Sequence, residues 1–301
     1  MEDKLTSMSD AIRSFVHDGS TIVIEGFTHL ICFAAGHEII RQKKQALTVC
    51  RLTPDLIYEQ LIGAGCVKKL VFSWAGNPGA GPLYALRRAV ESGIPHEIEL
   101  EEYSHFGMVA RFSAGAAKLP FFPLKSFWGS DLPRVNKNIR EMDCPFTGER
   151  LSVVPALNPD TAIIHVQRAD KNGNAQIWGL LGVQKEAAFA AKNVIIVAEE
   201  IVDENVIRAD PNRTLIPAFI VSAVVHEPFG CHPSFAQGYY DRDNDFYVNW
   251  REISENIEKF EKYLDEWVYG VKDRNDYLLK MGGLKHLKAN HQFCEPVNYG
   301  Y

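Results

Sequence analysis

The sequence has no basic run and no arginine-rich arm, and its formal net charge is −6. Gripping a nucleic acid takes a concentrated positive face, so that class is set aside. No apolar stretch approaches the roughly 20 residues that span a bilayer. Residues 1–10, MEDKLTSMSD, are acidic and polar and lack the apolar core of a secretory signal. The expectation is a cytoplasmic protein with no membrane and no nucleic-acid partner. The six cysteines, Cys32, Cys50, Cys66, Cys144, Cys231 and Cys294, form no CxxC pair. Their spacing suits neither a zinc site nor a disulfide framework, so they are expected as free thiols. None of the ten histidines stands in an HExxH pattern, and no metal is expected. Also missing are GxSxG, a Walker loop, GxGxxG, any internal repeat and any linker. The basic pairs Lys68-Lys69 and Arg87-Arg88 read as solvated surface.

What is present is globular: 301 residues with 46% hydrophobic and 23% charged content, enough for a sizeable core. Met8, Ile12, Phe15 and Val16 recur at helical spacing and Gly19 stops them. TIVIEGF (21–27), ALTVCRL (46–52) and KLVFSW (69–74) are short β-rich runs. Helical segments alternate with them: AAGHEIIRQK from about Ala34, PDLIYEQLI after Pro54, and PLYALRRAVESG from Pro82 to Gly93, with both prolines placed in first turns. Strands alternating with helices predict βαβ crossovers and a mostly parallel sheet covered on both faces. Beyond residue 140, DCPFTGE (143–149) is loop-like, and SVVPAL and TAIIHVQRAD are strand-like. Asn172-Gly173 predicts a hairpin into AQIWG. VQKEAAFAAK is a helix, NVIIVAEE a buried strand, and FIVSAVVHEP a last strand from Phe219. From Arg251 to Val268 one amphipathic helix is expected, with Ile253, Ile257, Phe260, Leu264, Trp267 and Val268 on one face. The last twenty residues, from Gly282, have weak periodicity and suit a docking tail.

In an open α/β sheet, ligands bind beyond the carboxyl ends of strands. Three such ends carry candidates. EGFTHL offers Gly26, Phe27 and Thr28, with His29 beside them. SWAGNPGAG offers Ser73, Gly76, Asn77 and Gly79, where glycine lets the backbone approach an anion or carbonyl oxygen. LEEYSHFG offers Glu101, Glu102, Ser104 and His105; a desolvated carboxylate there can serve as nucleophile or acid/base. Each stretch has a plain reading too: a strand–helix turn, a core phenylalanine, a solvated strand end.

In combination these segments say more. DGSTIVIEGFTH (18–29), PDLIYEQLIGAGCVKKL (54–70), EEYSHFGMVARFSAGAAKLPFFP (101–123), CPFTGE (144–149), AIIHVQRADKNGNAQIWG (162–179) and GCHPSFAQGYYDRDNDFY (230–247) occur in one order along nearly the whole chain. On these the chain resembles the α-type subunits of family I CoA-transferases of the glutaconate kind. The resemblance implies an open α/β fold of the CoA-transferase/NagB-RpiA kind. It implies a single domain over 1–301, with a core of about residues 5–248 and a C-terminal helical extension of about 249–301. The partner it implies is a β-type CoA-transferase subunit. The substrates it implies are small-molecule acyl-CoA and carboxylate, with coenzyme A thioester as substrate rather than bound cofactor. Transfer is ping-pong: a glutamate attacks the acyl-CoA, an anhydride forms, and CoA moves onto the glutamate before the acceptor carboxylate collects it. In the two-subunit members of the family that nucleophile belongs to the β subunit, and the resemblance implies the same here. Glu101, followed by Arg111 and Ala114-Gly115, matches a glutamate of the α-type chains and is the candidate catalytic residue of this one, at the edge of the site.

The sequence departs from the family where Glu25 precedes Gly26 in place of paired glycines, and where His29 to Phe33 is mostly apolar in place of a proline preceded by basic residues. With no cation in that segment, a more apolar acyl group than glutaconate is expected. Two other readings stay open: a hydrolase (carbon–carbon bond or ring-opening) or decarboxylase on the same scaffold, and a non-catalytic metabolite-binding regulatory subunit.

Overall fold

The computed structural model describes residues 3–283. The weakly periodic tail expected from Gly282 lies outside them beyond Gly283. The chain opens with a short strand, β1 (Leu5–Thr6), and a helix, α1 (Met8–Phe15), whose N-cap Ser7 accepts the Asp10 N–H at 3.1 Å. Three βαβ units follow: β2 (Thr21–Glu25), α2 (Phe33–Arg41), β3 (Leu47–Cys50), α3 (Leu56–Gly63), β4 (Val67–Phe72), α4 (Tyr84–Ser92) and β5 (Glu99–Glu102). Pro54 and Pro82 fall just before the N-caps, Asp55 and Leu83, and not in the first turns. Gly93 closes α4 in the left-handed conformation, φ 63°, which a glycine adopts without strain.

Residues 105–116 form a full helix, α5 (His105–Ala116). After it, β6 (Phe121–Leu124), the single-turn α6 (Leu132–Val135), β7 (Arg140–Asp143) and β8 (Arg150–Pro155) build a small antiparallel sheet in the order β6-β8-β7. The loop-like DCPFTGE is the connection between its last two strands. The main sheet resumes with β9 (Thr161–Ala169), which turns through Gly173 (φ 105°) into β10 (Ala175–Gln176). Asp170 secures that hairpin by accepting the N–H groups of Asn172, Gly173 and Asn174 at 2.8–3.0 Å. Then come α7 (Gln184–Ala190), β11 (Asn193–Ile201), α8 (Glu204–Ala209), β12 (Thr214–Ile216) and β13 (Ala223–His226). The strand expected from Phe219 begins only at Ala223. Residues Ala218–Ile220 make a 3-10 turn, and Phe219 points into solvent at 81% exposure.

Eight strands pair side by side in the order β1-β13-β11-β9-β2-β3-β4-β5, all parallel, with β10 and β12 attached antiparallel off β9. Alternate side chains feed two separate cores, as the two-residue period of a strand requires. Ile22, Ile24, Ile163, Ile195 and Val197 face α1 to α4, whereas Val23, Ile164, Val194, Ile196 and Ala198 face α5 and α7. The order reverses between β2 and β9, which makes the carboxyl ends of those strands the topological switch point.

The single amphipathic helix expected over 251–268 is three pieces: α9 (Asn244–Ser254), α10 (Ile257–Leu264) and a π-helical turn, Asp265–Tyr269, with α11 (Arg274–Lys280) beyond. The break sits at Asn256, whose side chain accepts the Lys259 N–H at 3.0 Å and starts α10 afresh. The extension packs on the α1–α4 face through Trp250, which is fully buried and donates its indole N–H to Glu59 at 2.6 Å.

Candidate functional site

The three candidate segments all leave carboxyl ends of parallel strands: β2, β4 and β5. They therefore share one edge of the sheet. Three inter-strand steps, roughly 14 Å, separate β2 from β5, and the residues do not gather into one group.

The first group surrounds the end of β2. Gly26 is required there by close approach: a Cβ would lie 2.6 Å from the Leu30 carbonyl oxygen. The loop folds back so tightly that Thr28 and Leu30 both take positive φ, 61° and 56°. A β-branched threonine in that region carries strain of about 1–3 kcal/mol. Phe27 and Thr28 are half-buried. The Thr28 carbonyl accepts the Ser234 hydroxyl at 3.0 Å, and the Leu30 N–H donates to Phe235. His29 is fully buried and stacked on Phe235, with its Nε2 bonded at 2.7 Å to the Leu180 carbonyl. Burial lowers its pKa to about 4, so the ring is neutral and anchors the loop that carries Leu180.

Beneath this loop lies a residue that sequence reasoning noted only as a departure. Glu25 is 1% exposed, its carboxylate accepts the N–H groups of Val183 and Gly26, and its Oε2 has no partner among the described residues. Burial pushes its pKa up to about 7 against the charge of Arg51. Arg51, itself buried, donates to Asp55 at 3.0 Å and to the Gly26 carbonyl. Nothing in the local pattern marks Arg51 and Asp55, because they are drawn together with Glu25 only when β2 and β3 pair.

In the second segment, Ser73 donates its hydroxyl to the Leu52 carbonyl at 2.6 Å. Gly76 lies against the Trp74 ring, where a Cβ would come within 2.5 Å. Asn77 is 3% exposed and donates to the Tyr247 carbonyl at 2.7 Å, which ties the loop to α9. Gly79 stands at the exposed tip, φ 79°, with open space around it.

At the end of β5, Glu101 is nearly buried and both its oxygens are engaged. Oε1 accepts the Tyr103 hydroxyl at 2.6 Å and Arg111 Nη1 at 2.7 Å, and Oε2 meets Lys69 Nζ at 2.6 Å. Lys69, expected on the solvated surface, is a working half of this cluster. Burial alone would raise the Glu101 pKa. The hydrogen bonds from Lys69 and Tyr103 and the charge of Arg111 outweigh it and hold the carboxyl below its usual range. Ser104 is the N-cap of α5 and accepts the Gly107 N–H at 3.0 Å. His105 and Glu102 are exposed.

Among the described residues, one group of metal-ligating types lies within 4.8 Å: His165, Glu199 and Cys231. Glu199 already accepts His165 Nε2 at 2.7 Å, the Phe229 N–H at 2.6 Å and the Tyr240 hydroxyl. Burial keeps the Cys231 thiol protonated. The group is a hydrogen-bonded plug at the ends of β9 and β11.

Residues 5–227 match the model of the coenzyme A transferase family. The chain belongs to that family. It is 51% identical to the A-type subunit of 3-oxoadipate CoA-transferase from Pseudomonas knackmussii, over 92% of this chain and 98% of that one. Identity to the A-type subunit of glutaconate CoA-transferase from Acidaminococcus fermentans is 34%, over 94% of this chain and 93% of the relative. The crystal structure of that organism's glutaconate coenzyme A-transferase superposes with a TM-score of 0.91, covering 96% of each chain. This CoA-transferase chain therefore has the α/β architecture that the order of its motifs implies. None of its described helices is long and apolar enough to cross a membrane.

Proposed function

We propose that this chain is the α-type half of a two-subunit enzyme that moves coenzyme A onto 3-oxoadipate or a close homologue, a short dicarboxylic 3-oxo acid. The carrying observation is the 51% identity, over nearly the full length of both chains, to the corresponding subunit of 3-oxoadipate CoA-transferase. The burial of His29 to Phe33 removes the sequence argument against it. These residues are 0–1% exposed, so their apolar character serves the core and carries no information about the far end of an acyl group. The apolar acyl group expected from that segment loses its basis.

In this reading a glutamate of the β-type partner attacks the thioester carbonyl of the acyl-CoA and releases the CoA thiolate as an acyl-glutamyl anhydride forms. The thiolate returns to the glutamyl carbonyl, frees the first carboxylic acid and leaves a glutamyl-CoA thioester. The acceptor carboxylate then runs the exchange in reverse. The present chain supplies a rigid edge: the strained Gly26–Leu30 loop at the switch point, the open Gly79 tip, and the Glu101 cluster. Glu101 is ionised and engaged at both oxygens, a poor nucleophile and a poor acid, so its role is to position β5, α5 and Lys69. Hydrolysis or decarboxylation through Glu101 would require a carboxylate less completely held.

The test is a CoA-transfer assay on the enzyme reconstituted with its β-type subunit, with 3-oxoadipate, glutaconate and butyrate as acceptors. The kcat/KM for 3-oxoadipate should exceed that for butyrate by at least roughly tenfold. Equal or faster transfer to butyrate would restore the apolar reading.

A further inference from the structure

Six strands away from β5, beyond the carboxyl ends of β1 and β13, a cavity of about 400 Å³ opens between α1, α2 and α11. That volume suits a small ligand, and the cavity lies on the carboxyl-end side of the sheet, away from the β2–β9 switch point. It lies on the α1–α4 face, whereas the Glu101 cluster faces α5.

Much of the polar lining is already satisfied. Arg41 pairs with Glu38 at 2.8 Å, and His37 bonds Gln60 at 2.8 Å. Four charged groups are left over, one of which, Asp273, caps α11 by accepting the Asp276 N–H at 3.0 Å. Arg274 is 3% exposed; its Nε and Nη2 donate to the Phe229 carbonyl at 3.0 and 2.8 Å, and its Nη1 has no acceptor among the described residues. A buried guanidinium nitrogen without an acceptor is costly, on the order of 1–3 kcal/mol. Glu227 is half-buried and lies close enough to Arg274 to feel its charge, yet among the described residues it forms no ion pair. Lys272 is exposed beside them and, among the described residues, is also outside every ion pair. Two cations, Arg274 and Lys272, and two carboxylates, Glu227 and Asp273, thus line one polar cavity, none of them in an ion pair among the described residues. The two cations disfavour a metal ion, and the carboxylates of Glu227 and Asp273 together disfavour a doubly charged anion.

We propose that this cavity binds a small hydroxy acid, with its carboxylate on Arg274 Nη1 and Lys272 and its hydroxyl donating to Glu227. The bound acid is a second ligand of the enzyme, separate from the carboxylate that accepts CoA.

Calorimetric titration of the reconstituted two-subunit enzyme with lactate tests this, with propionate and inorganic phosphate as comparison probes. Lactate should bind saturably, and propionate, which lacks the hydroxyl, roughly tenfold more weakly. Lys272→Ala and Glu227→Ala, both outside the buried core, should each weaken lactate by a similar factor with CoA-transfer kinetics unchanged. Three results would overturn the proposal: no saturable lactate binding, lactate affinity unaltered in both variants (which assigns it to the transfer site), or phosphate binding more tightly than lactate.

Discussion

Glu25 and Glu101 show how burial and partners decide what a carboxyl group is. Glu101 has two cations and a hydroxyl and stays ionised; Glu25 has one cation at a distance and, among the described residues, an oxygen with no partner, and is half-neutral near pH 7. The raised folded-state pKa of Glu25 means that its stabilisation is fully present below about pH 4.5 and lost as pH rises through about 7. Glu25→Gln keeps an acceptor for the Val183 and Gly26 N–H groups but removes the buried charge. It should match the wild type in thermal stability near pH 4.5 and exceed it at pH 8, by on the order of 3 kcal/mol if the whole shift is realised. A gap independent of pH would sink this assignment. At Glu101 the sign is opposite. Glu101→Gln removes the counter-charge of Arg111 and leaves Lys69 paired with Glu99 alone, at 2.7 Å. Urea unfolding should show a loss of about 1–3 kcal/mol, and kcat should fall while the KM for the acyl-CoA holds. Unchanged turnover would make the cluster a strand end and nothing more, and a glutamyl-CoA thioester trapped on this chain would make Glu101 the nucleophile.

At the level of elements, the contact between α5 and α7 is the one least visible in the sequence and among the tightest. Gly115 of α5 lies so close to its neighbours that a Cβ would fall 2.2 Å from the Leu157 carbonyl oxygen and 2.9 Å from the Ala190 Cβ. Alanine in a helix gains about 1 kcal/mol over glycine. Overpacking against a backbone carbonyl that cannot rotate away costs more, at the upper end of about 1–3 kcal/mol. Gly115→Ala should therefore lower the urea midpoint; a higher midpoint would mean that Leu157 yields. The same tightness hid the helix. Residues 107, 108, 110–112, 114 and 115 are all buried, so α5 has no polar stripe to set off an apolar one. The first half of the sheet was legible because its strands are short apolar runs bounded by proline and glycine. The small β6-β8-β7 sheet was not, since strands such as Arg140–Asp143 owe their existence to pairing with residues further along the chain. Asn256 was a cap hidden inside an apparently continuous apolar face, and the apolar run through Phe219 gave no sign of its 3-10 turn.

Across the whole molecule, the sequence placed the candidate residues at strand ends, and strand ends of a parallel sheet share one edge. It did not tell that Lys69 reaches Glu101 from the neighbouring strand, or that Arg51 and Asp55 lie under the Gly26 loop, because those meetings depend on strand order. Among the described residues, strand order also leaves two open margins. One is β1, only two residues long, too short to template a further strand. The other is β5, where Glu99 and Glu102 stand exposed on either side of the half-exposed Leu100. Any chain that tried to extend the sheet there would have to bring its backbone alongside exposed carboxylates. The acidic margin of β5 thus disfavours edge-to-edge pairing with a second copy of the chain.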